Sequence, residues 1–114
     1  MIPSFTLRWL VQASLGVMLV VLLSIHLIVN HWAAPQGLLT HTDVVHYYEI
    51  PGVAWMEVIF LTVVTIHCLL GLHSILLDLN LSMNATRALT WLLALMGAAA
   101  ILYEAWLTRS IVSL

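Results

Sequence analysis

His67, Gly71, Ser74 and Asp78 lie in one apolar stretch, with the last three standing four, seven and eleven residues after the histidine. At 100° per residue, this spacing brings all three within about 40° of His67 on a helix surface. A glycine one turn from a histidine leaves a flat gap beside the imidazole, and a planar macrocycle needs such a gap to approach a helix backbone. A neutral imidazole can give one nitrogen to iron and donate its other N–H to a carbonyl or carboxylate. The stripe therefore points to haem, with His67 as axial ligand and Gly71 as the clearance beside it.

His26 is the second candidate ligand. It shares a helix face with Gln12, Leu15, Leu19, Leu22 and Asn30, by the same angular arithmetic. Polar groups at membrane depth are costly and usually have a task. At 1.5 Å per residue, His26 sits about 9 Å inward from Trp32 and His67 about 21 Å inward from Val53. Ligands at such different levels are poorly placed to hold one iron. They more naturally serve two haems, each completed by an axial histidine from another chain.

Each residue also has a plainer reading. His67 could be a helix-packing hydrogen-bonder, and His26 could reach the interface from near its span end. His73 lies about 120° from the stripe, which favours a headgroup or subunit contact over iron. His31, His41 and His46 are in or near a loop, where solvated histidine is the default. Ser74 reads as a helix-packing hydroxyl. Asp78 meets the negative end of its helix dipole and gains nothing from it, so its partner is expected elsewhere, near a haem propionate or on a cation of another subunit. Glu57 and Glu104 are expected to snorkel to the interface, with proton exchange for quinone chemistry as the competing reading. Cys68 is the single cysteine, so no disulfide can form within the chain, and it reads as a small core residue.

The elements that must position these residues follow from composition. Of 114 residues, 63% are hydrophobic and 7% charged, against about a quarter charged in a soluble domain. Three Lys plus Arg against five Asp plus Glu leave no basic patch for nucleic acid. Apolar runs near 9–32, 53–77 and 88–108 each reach the roughly 20 residues that cross a bilayer. The first run is too long for a signal-peptide core. The expectation is an all-α membrane protein of one domain, 1–114, with three transmembrane helices. Residues 33–52, with Pro35, Gly37, Pro51 and Gly52, form a loop able to carry a short interfacial piece. Thr86 or Asn84 is the expected cap of the third helix. Arg8 and Arg87 on one side against Arg109 on the other put the N-terminus in the cytoplasm. Trp9, Trp32, Trp55, Trp91 and Trp106 fall near span ends, as headgroup-level anchors do.

The segment His67-Cys-Leu-Leu-Gly71-Leu-His-Ser-Ile-Leu-Leu-Asp78 resembles the second-helix signature of the cytochrome b membrane-anchor subunits of succinate dehydrogenase and fumarate reductase, the complex II enzymes. Gln12-Ala-Ser-Leu-Gly16, with His26 ten residues on, is similar to the first helix of the two-subunit, two-haem members. The resemblance covers roughly residues 9–78. It implies half of a heterodimeric helical bundle in a prokaryotic cell membrane. Its partners would be a flavoprotein, an iron-sulfur subunit and a sister anchor sharing two haems b, with quinone as substrate. His67 would then ligate the haem nearer the iron-sulfur subunit, and His26 the outer one.

Three positions depart from the family pattern. Ala13 and Leu15 replace an arginine and a serine or threonine, and Leu79 follows Asp78 where some members have a quinone-contacting tyrosine. Quinone is therefore expected mainly on other subunits. With no nucleophile, metalloprotease motif or phosphate-binding glycine loop, the chain alone is expected to catalyse nothing. Its expected part is electron transfer through bis-histidine haem. Two alternatives stand beside this one: a haem-free anchor of the same complex, and an unrelated small membrane scaffold or transporter subunit.

Overall fold

Backbone N–H and C=O groups in hydrocarbon must be satisfied within their own segment, so long apolar runs become helices. A computed structural model of the chain describes residues 3–38 and 40–113. It contains α1 (Ser4–Ala33), α2 (His41–Glu49), α3 (Val53–Leu77) and α4 (Met83–Val112). Three of these, α1, α3 and α4, are long and apolar enough to cross a membrane. The fold is all-helical among the described residues, as composition and run length imply.

Helix α3 is central, packed on α1 and on α4, while α2 lies against α3 and α4. The chain passes along the bundle three times in alternating direction. The N-terminus and the α3–α4 turn thus share one end, and α2 sits at the other. The longest dimension, 49 Å, exceeds the ~40–45 Å of a bilayer with its headgroups. Helix α1 contains no buried residue, and all five tryptophans are exposed. Lipid or partner chains must therefore cover most of the apolar surface.

Helix α1 begins five residues before the apolar run and α4 extends beyond its run at both ends, because a helix continues past the hydrocarbon wherever its backbone stays paired. Ser82 caps α4, accepting the Ala85 N–H at 3.3 Å. The expected caps, Asn84 and Thr86, lie inside the first turns instead.

The loop between α1 and α3 contains one well-specified helix. Thr40 and Asp43 form a reciprocal capping box, with Thr40 N–H donating to Asp43 Oδ2 at 2.8 Å and Asp43 N–H to Thr40 Oγ1 at 3.2 Å. Gly52 then turns the chain into α3 with φ of 86°, a conformation that costs other residues but not glycine.

Candidate functional site

Two polar groupings occupy the bundle, one toward its N-terminal end and one under α2. The first joins α1 to α3 through a reciprocal fit. Gln12 and Gly16 stand four apart on α1, as His67 and Gly71 do on α3, and the two helices run in opposite directions. The His67 ring lies against Gly16, where an added Cβ would come within 3.3 Å of Cε1 and 4.0 Å of Nδ1. The Gln12 amide lies against Gly71, where an added Cβ would come within 3.1 Å of Nε2. That Nε2 donates to the His67 carbonyl oxygen at 3.1 Å. Each polar side chain fills the space left by the other helix's glycine.

In this chain Gly71 faces α1. The gap beside it holds the Gln12 amide, since a hydrogen-bonded amide is the better-satisfied occupant of a helix contact. His67 is half-buried. Among the described residues neither of its ring nitrogens has a hydrogen-bond partner, and only Nδ1 is enclosed. Gln12 Oε1 is enclosed and unpartnered as well.

The rest of the stripe is engaged locally. Ser74 Oγ donates to the Leu70 carbonyl at 3.0 Å, which ties the hydroxyl to its own helix. Asp78 is the exposed C-terminal cap residue of α3. His73 pairs with α4 rather than facing outward: its Nε2 is 2.9 Å from Thr90 Oγ1, which itself donates to the Thr86 carbonyl at 2.9 Å. Because the Thr90 proton is committed, His73 Nε2–H is the donor.

The second grouping centres on Glu57, only 5% exposed. Its Oε1 accepts from His26 Nδ1 at 2.9 Å and from the Tyr47 hydroxyl at 2.5 Å. Asn30 Nδ2 donates to Tyr47 Oη and to the His26 carbonyl oxygen, each at 3.0 Å. The His26 ring stacks on Phe60 with centroids 4.8 Å apart. Thr108, buried on α4, lies beside Tyr48. Glu104 is half-buried on the same helix with Oε1 enclosed. Burial, and then the Glu57 carboxylate, push the Tyr47 phenol well above its ordinary range. Burial and the same carboxylate raise Tyr48.

Glu57 does not snorkel as expected, because α2 covers the end of the bundle and supplies Tyr47 as a partner that the water-facing alternative lacks. Sequence reasoning placed α2 in a loop and so missed Tyr47 and Tyr48. The signal available was the Thr40…Asp43 capping pair, with Asp43 four residues ahead of two adjacent tyrosines. Of the remaining histidines, His31, His41 and His46 are exposed, and His46 pairs only with Glu49 at the surface. Cys68 is exposed, not a core residue. Among the described residues no three His, Cys, Asp or Glu converge as a metal-ion site.

No family model matches the chain and no solved structure does. A curated relative is informative: the succinate dehydrogenase hydrophobic membrane anchor subunit of Archaeoglobus fulgidus is 30% identical over 105 residues, covering 92% of this chain and 89% of the relative. With that identity over nearly the whole of both chains, the chain belongs to the family of succinate dehydrogenase hydrophobic membrane anchor subunits.

Proposed function

We propose that this chain is the haem-bearing half of a two-chain anchor that fixes a succinate dehydrogenase in a prokaryotic cell membrane and passes electrons from its iron-sulfur subunit to quinone. The observation that carries the reading is His67. Its open nitrogen is Nε2, its enclosed nitrogen is Nδ1, and nothing in the described chain occupies either. A ligating imidazole needs one accessible bare nitrogen and commonly donates from the other; here Nε2 is the accessible one and Nδ1 is enclosed. The residues therefore fit haem b, which when bound supplies one-electron transfer from a six-coordinate iron. His67 would hold the group from this chain, with a histidine of a sister anchor as its other protein ligand. Gly16 lets the imidazole seat against α1, and Gly71 admits the Gln12 amide that braces the same turn.

His26 is the proposed ligand of a second haem toward the other end. Its Nδ1 donates to Glu57, which matches the carboxylate–histidine pairing common behind metal-bound imidazoles, and Nε2, 3.3 Å from Asn30 Nδ2, would be the ligating nitrogen once that amide turns aside. Phe60 and Asn30 border that ring and fix its plane. The flavoprotein, iron-sulfur and sister subunits are the partners, and the N-terminal end faces the cytoplasm.

A haem-free anchor of the same complex is the second reading, favoured by the way Gln12 closes the space beside Gly71. A pyridine haemochrome assay on the purified complex separates the two. Two b-type haems per complex support the proposal in full, and one supports it for His67 alone. A colourless complex that still reduces quinone establishes the haem-free anchor.

A further inference from the structure

We infer that Gln12 is a positioning residue for His67: its amide Oε1 receives the Nδ1 proton, directly or relayed by one water, and so keeps Nε2 as the bare nitrogen. The inference rests on the haem reading given above. The described chain has three enclosed side-chain polar atoms without a partner, and two of them, Gln12 Oε1 and His67 Nδ1, belong to this single helix contact. Buried polar atoms are nearly always paired, so two orphans on side chains of one helix contact call for a common explanation.

Their chemistry is complementary. Gln12 Nε2 is committed to the His67 carbonyl at 3.1 Å, which fixes the orientation of the amide and leaves Oε1 as a pure acceptor. The His67 edge turned toward α1 carries Nδ1, 4.0 Å from the Cβ position of Gly16, one turn along from Gln12. An acceptor paired with a bare Nδ1 would leave both unsatisfied, whereas an Nδ1–H satisfies both. The same bond raises the basicity of Nε2, the usual effect of a partner behind a ligating histidine. Both glycines serve this arrangement, because a Cβ at either would press on one of the two side chains.

The test uses the whole complex with 15N-labelled histidine, unmutated and as Gln12→Met and Gln12→Glu. If Gln12 positions His67, Gln12→Met removes the acceptor and shifts the midpoint potential of one haem b upward. Gln12→Glu supplies a stronger acceptor and shifts it downward. Packing alone would not reverse the sign between two side chains of similar size. Bound haem with the same potential in the unmutated and Gln12→Glu complexes overturns the inference while leaving the haem reading intact, and this comparison holds even if Gln12→Met fails to assemble. A complex without haem ends the haem reading, and the 15N spectrum of His67 then decides: an Nδ1–H tautomer that Gln12→Glu retains supports the positioning role, and an Nε2–H tautomer in the unmutated complex overturns it.

Discussion

The two polar groupings of this bundle differ in how complete they are. Under α2, Glu57 accepts from His26 and Tyr47, Asn30 braces Tyr47, and Phe60 stacks on the imidazole. Four elements meet there, and the chain satisfies most of its own polar atoms. Toward the N-terminal end only α1 and α3 meet, and both Gln12 Oε1 and His67 Nδ1 stay unpaired. The grouping at Glu57 ties α2 to the end of the bundle, whereas the grouping at His67 leaves a ring nitrogen open.

The contrast breaks most sharply at Glu57. Replacing it with alanine leaves the Tyr47 hydroxyl and His26 Nδ1 enclosed without their common acceptor, at an expected cost of roughly 2–5 kcal/mol. Amide hydrogen exchange across residues 41–49 should accelerate as α2 loses its hold, and unchanged exchange would show that the cluster does not secure α2. Glu57→Gln keeps an acceptor and should fall between the two.

At the other grouping, Gly16→Leu drives a side chain into the His67 ring. The expected loss is about 1–3 kcal/mol, together with weakened haem retention, read from the b-type absorbance remaining after detergent extraction. Full retention would mean that His67 does not depend on its seat against α1.

Alkaline titration offers a smaller, sharper test of the α2 end. Tyr47 and Tyr48 both ionise above their ordinary value in the folded chain, while an unfolded tyrosine ionises near ~10. The stability carried by the neutral phenols is therefore complete below about pH 10 and lost as pH rises through the folded values. Tyrosinate absorbance should show Tyr47 and Tyr48 ionising above the ordinary phenol range, and Glu57→Ala should bring Tyr47 down. The smallest effect is expected at Ser74→Ala. Its hydroxyl returns to the Leu70 carbonyl on an exposed face, so stability should move by less than about 0.5 kcal/mol.

How much of this was legible in the sequence depended on whether the signal was local. Apolar runs gave three spans, since hydrocarbon allows little else, and Val53–Leu77 emerges with the ends its run suggested. The His67…Gly71 and Gln12…Gly16 spacings were visible too, as single-helix patterns. That each histidine or glutamine seats on the other helix's glycine was not, because spacing on one helix says nothing about what faces it. Gly71 therefore read as room for a macrocycle. The α2 cluster was hidden for the same reason: Glu57 near a span end reads as a snorkelling carboxylate until Tyr47 is known to fold back over it. His73 likewise finds Thr90 only once α3 and α4 are packed.

The central claim is that His67 offers an axial nitrogen to haem. It is tested most directly by counting b-type haem per complex in the unmutated protein and in His67→Ala, with assembly checked by size exclusion. An assembled His67→Ala complex that has lost one haem relative to the unmutated complex is the predicted result. An assembled variant with its full haem complement would contradict the account.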